Sequence, residues 1–320
     1  MPPELTVIIP SHNRRELLRS CLESFDRQIA PAEKFEVVVV LDGSTDGTAE
    51  MLSGFAPTFL LSILTQPQAG ASAARNAGAD RATGSVLLFV DDDIIASPSL
   101  VSAHLMAHSM RERIAGVGVI ERRIPVDADR FAQLRAETSR AHYQHLLVRS
   151  LSYLDCYGGN CSVSHSIFDE VEGFSADLPV LNDYEFAYRL HKAGVRFVFI
   201  PDAVVSEERP DDWRTIIADR ELRGQISVEL YRRDPAIVRH TELGGNEPLR
   251  GYWVPLRALC LALRVPPSLL ARLGFLLQRR SWSGKWFAFV FSYSYWRGVA
   301  NAIGYRRLWR ILRRGTVIPH

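Results

Sequence analysis

The sequence is poor in cysteine, and it contains no low-complexity tract and no hydrophobic run long enough to cross a bilayer. Only four of its 320 residues are cysteines, and they are scattered along the chain. This scarcity argues against a disulfide framework and favours reduced thiols in a cytoplasmic protein. Cys156 and Cys161 lack a second pair at zinc-binding spacing, so we expect no zinc site there. A strand pattern already at Leu5–Pro10 indicates that no signal peptide precedes the body.

Acidic residues are missing from the last quarter of the chain. No Asp or Glu follows Glu247, whereas 13 Lys or Arg residues do. Because the whole chain has a net charge of +2, the first 247 residues carry about −11. This asymmetry predicts an acidic body and a basic segment that seeks an anionic surface.

Over the first hundred residues, short apolar runs alternate with helical stripes. Strands are predicted at Leu5–Ile9, Val37–Leu41, Phe59–Leu64 and Val86–Val90. Helices are predicted between them, at 14–27, after Asp42, and at 71–81. This βαβαβ order predicts an α/β fold with a parallel sheet and right-handed crossovers. Further along, the pattern predicts helices at 183–192 and 213–232, and a strand at Arg196–Ile200 that ends at Pro201.

Polar residues follow three of these strands: Ser11, His12 and Asn13, then Asp42, then Asp91–Asp93. Ligands of open parallel sheets bind beyond the carboxyl ends of the strands. Adjacent carboxylates repel one another unless a cation or water relieves them, and Mg²⁺ or Mn²⁺ bridging a diphosphate would do so. A solvated acidic turn is the alternative for Asp91–Asp93, and a capping or turn role is the alternative for Asp42.

The segment Gly70–Gly78 is built from small residues around Arg75 and Asn76. Small residues let a helix begin close to a ligand, and these two side chains can contact a phosphate, a sugar or the acidic residues. A tightly packed helix in which Arg75 pairs structurally with an Asp is the alternative.

Asp183 and Glu185 open a later predicted helix. A carboxylate there either caps the helix or serves as a general base that deprotonates an acceptor hydroxyl. Upstream, the two glycines of the loop Gly158–Asn160 would let its backbone approach a sugar closely.

The basic tail, from about residue 249, has Arg at every seventh position from Arg250 to Arg264 and again from Arg272 to Arg279. Each set therefore lies on one face of a helix. The uncharged aromatic run Trp286–Trp296 spans only about half a bilayer. A basic amphipathic segment in the headgroup layer is the favoured interpretation. A helical subdomain with solvated arginines, or a dimer contact through the same apolar face, is the alternative.

Taken together, six motifs resemble the family 2 glycosyltransferases of the GT-A fold, in order and spacing, over about residues 4–235. They are Val7–Asn13, Asp42–Thr48, Gly70–Gly78, Phe89–Asp93, Gly158–Asn160 and Asn182–Glu185. The resemblance implies a GT-A nucleotide-sugar-binding and catalytic domain at 1–235 and a basic helical region at 236–320. It also implies an inverting transfer of sugar from a nucleotide diphosphate-sugar to an acceptor hydroxyl, in polysaccharide, glycolipid or other glycoconjugate biosynthesis.

The resemblance also implies roles for individual residues on the donor side. The nucleoside pocket and donor site would be lined by Pro10, His12, Asn13, Asp42, Arg75, Asn76, Asp91 and Asp92. Asp93, with Asp91, would bind a divalent cation, Mn²⁺ or Mg²⁺. Asp183 would be the catalytic base, and Gly159, Asn160 and Glu185 would lie on the acceptor side.

Expected partners are a UDP-sugar donor, a sugar or lipid-linked acceptor and the inner face of the cell membrane, with no nucleic acid.

The chain departs from the family pattern in three places. Asn182 replaces an acidic residue before Asp183, Ser206–Glu207 stands where a His is frequent, and the Gln-x-x-Arg-Trp motif of processive synthases is absent. The last departure favours addition of a single sugar.

Two other classes of protein compete with this interpretation. A nucleotidyltransferase on a related sheet would need a Gly- and Arg-rich loop after the first strand, but Pro10–Arg14 contains no glycine. An inactive membrane-bound scaffold would not need Asp91–Asp93 or Asp183, which are intact.

Overall fold

The computed structural model describes residues 2–125, 128–207, 212–245, 252–276 and 283–314. The chain divides into two compact units. The first consists of residues 1–124 and 136–209, and the second of residues 125–135 and 210–320. The functional boundary predicted between residues 235 and 236 stays a prediction; the second unit begins earlier in the chain and includes the helix that precedes that boundary.

The first unit contains an eight-stranded sheet in the order β3-β2-β1-β4-β7-β6-β8-β5. The strands are β1 Leu5–Ser11, β2 Phe35–Asp42, β3 Leu60–Gln66, β4 Val86–Val90, β5 Ile94–Ala96, β6 Ile114–Arg122, β7 Asn160–Ser164 and β8 Arg196–Glu207. Strands β3, β2, β1 and β4 pair in parallel, which confirms the predicted arrangement of the first hundred residues. Strand β7 is antiparallel to both β4 and β6, so the sheet as a whole is mixed.

Seven α-helices lie among the described residues of this part of the chain. They are α1 Arg15–Phe25, α2 Thr48–Ser53, α3 Ala71–Arg81, α4 Leu100–Met110, α5 Arg130–Leu146, α6 His165–Glu170 and α7 Asn182–Lys192. The first residues of α5 belong to the second unit.

The core explains the sequence patterns of the first unit. Every residue of β1 and β2 is buried, as expected for strands covered on both faces. The predicted stripe on α1 supplies Leu18, Leu22 and Phe25 to the same core. On α3 the small residues have a packing reason, since a Cβ at Gly78 would lie 2.5 Å from the side chain of Ile8.

Strand β8 is longer than predicted and does not end at Pro201. It continues to Glu207, and its second half pairs with β6 and with β5. The register between β6 and β8 shifts after Val117, and Pro201 falls in the irregular segment opposite. A proline without an N–H is tolerated at such an interruption of the ladder.

The second unit is helical in its described residues. Its helices are α8 Trp213–Arg233, α9 Trp253–Ala262, α10 Pro267–Leu276, α11 Ser283–Ile303 and α12 Tyr305–Arg314. Helices α8 and α11 meet backbone to backbone, since a Cβ at Gly224 would lie 2.0 Å from the carbonyl oxygen of Tyr295. No helix in the described ranges is long and apolar enough to cross a membrane.

The aromatic run Trp286–Trp296 lies in α11, and most of it is buried inside the second unit. Phe287, Phe289 and Tyr293 are each at most 1% exposed. The side chains of this run therefore pack against protein, and the prediction that the basic tail contacts the headgroup layer stays a prediction for the rest of the tail.

The predicted arginine face of the tail is also corrected in one place. Arg257 is buried, donates to the hydroxyl of Ser292 at 3.0 Å, and lies over the ring of Trp296. Arg264 and Arg272 are exposed as expected, whereas Arg250 and Arg279 lie outside the described residues.

Candidate active site

A cavity of about 410 Å³ opens at the carboxyl ends of β1, β2 and β4. The predicted site residues from three separate segments meet here, as the topology requires. The cavity is lined by Pro10, Ser11, His12, Arg14, Asp42, Ala71, Asp91, Asp92, Asp93 and Glu207.

Asp42, at the end of β2, holds the loop that leads into α3. One carboxylate oxygen accepts from Gln66 Nε2 at 2.8 Å and from the backbone N–H of Ala69 at 2.7 Å; the other accepts from the N–H of Gly70 at 2.8 Å. Burial alone would raise the pKa of Asp42, but these hydrogen bonds lower it. The carboxylate is thus ionised and fixed at the floor of the cavity.

His12 and Asn13 join the end of β1 to the turn after β2. His12 Nδ1 lies 2.6 Å from the carbonyl oxygen of Asp42, and Asn13 accepts from the N–H of Thr45 at 2.8 Å. Asn13 has a φ of 52°, a left-handed conformation that Asn tolerates better than most residues. Its side chain is therefore occupied in shaping the rim, and its predicted donor contact stays a prediction.

Arg14 bridges two of the three consecutive aspartates. Its Nη1 lies 2.6 Å from Asp92 Oδ1 and 3.0 Å from Asp93 Oδ2. The other oxygen of Asp92 accepts from the hydroxyl of Ser11 at 2.7 Å. Burial raises the pKa of Asp92 and outweighs these partners, whereas at Arg14 the nearby carboxylates outweigh burial and raise the pKa.

Arg75 pairs with the remaining aspartate, Asp91. Its Nη2 lies 2.7 Å from Asp91 Oδ1, and the arginine side chain is only 7% exposed. The loop after α5 closes over this pair: a Cβ at Gly159 would lie 2.8 Å from Asp91 Oδ2, and one at Gly158 would lie 3.3 Å from the guanidinium carbon of Arg75. A side chain at 159 would therefore force the Asp91 carboxylate to move.

Three predicted site residues have their polar atoms occupied by the fold itself. Asn76 makes two hydrogen bonds, both 2.8 Å, to the backbone of Phe174. Asn160 is 1% exposed and bonds to the backbone of β6 and β8 and to His104 Nε2. Glu185 accepts from Ser175 and from Arg189. These partners favour stabilising roles, and the predicted donor and acceptor contacts of these three residues stay predictions.

Asp183 lies in the first turn of α7. Its Oδ1 accepts from the N–H of Tyr184 at 2.8 Å, which fixes the carboxylate. Helix α7 packs against the segment that leads into the glycine loop, since the ring centroids of Tyr184 and Tyr153 are 5.7 Å apart. Asp183 is not among the residues that line the cavity.

The aspartates of this cavity include oxygen ligands of the kind that the predicted divalent cation needs. Carboxylate oxygens are the ligands that Mn²⁺ and Mg²⁺ prefer, and Asp91 and Asp93 both line the cavity. Asp92 is less suited because both of its oxygens are engaged and its side chain is 4% exposed. Within the described ranges, no three His, Cys, Asp or Glu side chains converge into a ready-made metal site. Asp91 and Asp93 thus fit a cation that completes its shell with other oxygens, such as those of phosphates.

Sequence reasoning placed Ser11 at a strand end and Ser206–Glu207 where the family often has a His, but it gave Ser11, Arg14 and Glu207 no role in the site. Arg14 follows a strand end directly, and this position is the signal that could have found it. The position of Glu207 beside the acidic segment needed the fold, because the pairing of Ile94 in β5 with Glu207 in β8 brings the two together.

The family model for glycosyl transferase family 2 matches residues 6–172, just over half of the chain. The matched part includes β1 to β4, the three aspartates and the glycine loop. The chain belongs to glycosyl transferase family 2. The match ends before Asp183 and Glu207, so the family assignment does not depend on them.

Individual proteins agree with this glycosyltransferase assignment. The Bacillus subtilis (strain 168) protein YfnE, described as an uncharacterized glycosyltransferase, is 28% identical over 295 residues, 76% of this chain and 74% of YfnE. The mannosyltransferase PcManGT from Pyrobaculum calidifontis, solved with GDP-Man and Mn²⁺, has a TM-score of 0.64 at 22% identity and covers 95% of this chain and 88% of its own. TarS residues 1–349 from S. aureus, solved with UDP-GlcNAc, has a TM-score of 0.60 at 16% identity, with coverages of 98% and 92%. The predicted GT-A fold and glycosyltransferase class are confirmed.

Proposed function

We propose that this family 2 enzyme moves one sugar from a nucleotide diphosphate-sugar, expected to be a UDP-sugar, to an acceptor hydroxyl with inversion, in glycoconjugate biosynthesis. The observation behind the proposal is that one cavity is lined by Asp42, by the Arg14–Asp92–Asp93 bridge and by Asp91, the partner of Arg75. Hydrogen-bonding groups at the ends of β1 and β2 suit a nucleoside, and the two guanidinium groups suit a diphosphate. The nucleotide sugars in the PcManGT and TarS structures support a donor of this kind.

In this proposal Asp183 is the base. The acceptor oxygen attacks the anomeric carbon from the face opposite the diphosphate, Asp183 takes the hydroxyl proton, and the bond to the diphosphate oxygen breaks. The placement of α7 supports this role: Tyr184 packs against Tyr153 in the segment that leads to the glycine loop, and that loop lies against the Arg75–Asp91 pair.

Asp91 and Asp93 would hold the divalent cation, expected to be Mn²⁺ or Mg²⁺. When bound, such a cation neutralises the charge that develops on the leaving diphosphate. Arg75 supports the same charge from the side of the glycine loop, and Asp42 keeps the loop before α3 in place.

A donor panel tests the proposal. The protein is incubated with UDP-, GDP- and dTDP-sugars and Mn²⁺, with and without candidate acceptors, and the released nucleotide is identified. Release of nucleoside diphosphate supports sugar transfer, and the anomeric configuration of the product, read by NMR, tests inversion. Pyrophosphate would indicate the nucleotidyltransferase alternative, and no turnover under any condition would favour the inactive scaffold.

The second unit bears on where transfer takes place. Leucine side chains on α9, α10 and the turn between them are exposed, by 54% at Leu259, 68% at Leu263, 59% at Leu269 and 82% at Leu276. Arg264 and Arg272 are exposed among them, and no acidic residue occurs in the tail. We infer that this leucine-arginine surface rests on an anionic membrane, which would bring the enzyme to lipid-linked acceptors at the inner face of the cell membrane. A homodimer through the same surface is the competing outcome.

A further inference from the structure

Arg14 occupies an unusual position for a cavity arginine. It stands directly before α1, and one of its nitrogens lies within 3.0 Å of two different carboxylates. The acid side chains are 4% and 9% exposed at Asp92 and Asp93, whereas the arginine is 32% exposed. The acids are thus fixed in the protein, and the arginine reaches them from the open side of the cavity.

Two arginines offset the negative charge of the three aspartates. Asp91 pairs with Arg75, and the adjacent Asp92 and Asp93 share Arg14. Two buried carboxylates side by side are strongly unfavourable without a cation between them. In the structure a guanidinium supplies that cation at the same carboxylate, Asp93, that suits a divalent ion.

We propose that Arg14 is an internal counter-ion for the Asp92–Asp93 pair, and that it leaves Asp93 when a divalent cation binds there and turns to the diphosphate of the donor. The last clause rests on the proposed function; the exchange at Asp93 does not. Arginine suits both positions, because its planar fork binds carboxylates and phosphates alike. Its partial exposure and its place before the helix leave its side chain room to move.

The exchange couples the two ligands. In the protein without donor, a cation competes with Arg14 and binds weakly. A bound nucleoside diphosphate offers Arg14 a new partner and removes that competition, so nucleotide and cation each raise the affinity for the other by the same factor. Arg14 would therefore limit cation binding until the donor is present.

The test measures Mn²⁺ binding by electron paramagnetic resonance of the free ion, on full-length protein, without nucleotide and with UDP. For Arg14→Gln we expect the Kd for Mn²⁺ without nucleotide to fall by about tenfold or more, and the factor by which UDP tightens Mn²⁺ binding to shrink. Arg15→Gln is the matched control, since Arg15 is the next residue, pairs with the exposed Glu16, and should leave both values unchanged.

Removing Arg14 alone leaves two acids without their cation, so a second variant guards against misfolding. Arg14→Gln combined with Asp92→Asn removes one charge of each sign and keeps Asp93; it too should bind Mn²⁺ more tightly than wild type. The proposal is overturned if whichever of these variants folds, as judged by circular dichroism, binds Mn²⁺ no more tightly than wild type, or if none binds it. Since no donor is needed, this outcome is independent of whether sugar transfer is found.

Discussion

Asn182 donates from Nδ2 to the hydroxyl of Ser72 at 2.6 Å, and this hydrogen bond joins the first turn of α7 to the first turn of α3. The Oδ1 of the same side chain accepts from the N–H of Asp183 at 2.8 Å. Asn182 therefore links the candidate base to the helix that carries Arg75. An acidic residue in its place would have to accept from the Ser72 hydroxyl and would add a second negative charge next to Asp183.

This link predicts coupled effects of Asn182→Ala and Ser72→Ala. Each single variant should lose about 1 kcal/mol in the free energy of unfolding, because each removes the same hydrogen bond. The double variant should lose little more than the larger single effect, as measured in a denaturant double-mutant cycle. Additive losses would mean that the two side chains are not linked.

Gly159→Ala should reduce transfer by about tenfold or more, because the added Cβ would lie 2.8 Å from Asp91 Oδ2 and displace that carboxylate. The melting temperature should change far less than kcat/KM. Gly54→Ala is the control, since a Cβ at Gly54 would meet only the Met51 carbonyl oxygen, at 3.8 Å. Equal effects of the two substitutions on activity would contradict the close approach at Gly159.

His104 predicts a loss of stability in mild acid. Burial lowers its pKa from 6.5 to about 4, with the hydrogen bond to Asn160 acting in the opposite direction. Between these values the unfolded chain binds a proton that the folded protein does not, so stability falls as the pH drops from about 6.5 to about 4. The contribution is on the order of 3 kcal/mol.

The histidine prediction is checked by thermal melts from pH 7 to pH 4. His104→Gln is expected to be less stable at pH 7 but to show a smaller decline on acidification than wild type. His240→Gln, which changes an exposed histidine of the second unit, should keep the wild-type decline. Identical pH profiles for wild type and His104→Gln would contradict the assignment.

The leucine-arginine surface predicts a specific response to charge. Leu263→Glu combined with Leu276→Glu should abolish sedimentation with vesicles that contain phosphatidylglycerol, and raising the salt concentration should weaken wild-type binding. Leu60→Glu, at a 55% exposed leucine of β3 in the first unit, is the control and should sediment as wild type does. Unchanged sedimentation of the double variant would refute the membrane proposal, and loss of a dimer in light scattering would instead favour self-association.

A truncation after residue 248 would test membrane binding less reliably than these substitutions do. Helix α8 packs against α11 within the second unit, with Gly224 and Gly298 at the contact. Removing the tail would expose the apolar side of α8, and aggregation could then be mistaken for membrane binding. Substitutions on the surface avoid this problem.

The sequence predicts the parallel half of the sheet well because its strands are continuous apolar runs, and β4 and α3 have the predicted bounds. The sequence predicts a segment less well where contacts with distant parts of the chain determine its bounds or its burial. Pro201 interrupts β8 without ending it, because a neighbouring strand continues to pair beyond the irregularity. The buried aromatic run of α11 shows the same effect, since composition alone does not distinguish a membrane-facing helix from one buried by its neighbours.

For the candidate site, the sequence located the residues at strand ends but not their partners. Asp42, Asp91 and Asp93 line the cavity as their positions after β2 and β4 require. The side chains of Asn76 and Asn160 instead point to backbone groups far away in sequence, which no local pattern reveals. The bridge from Arg14 to Asp92 and Asp93 spans nearly eighty residues and needed the fold to be seen.

The most direct test of the central claim compares wild type with Asp183→Asn, once a donor is known. The account predicts that sugar transfer falls by about a hundredfold or more, while the affinity for UDP, measured by calorimetry, changes by less than about twofold. Wild-type turnover in Asp183→Asn would contradict the assignment of Asp183 as the base of the transfer.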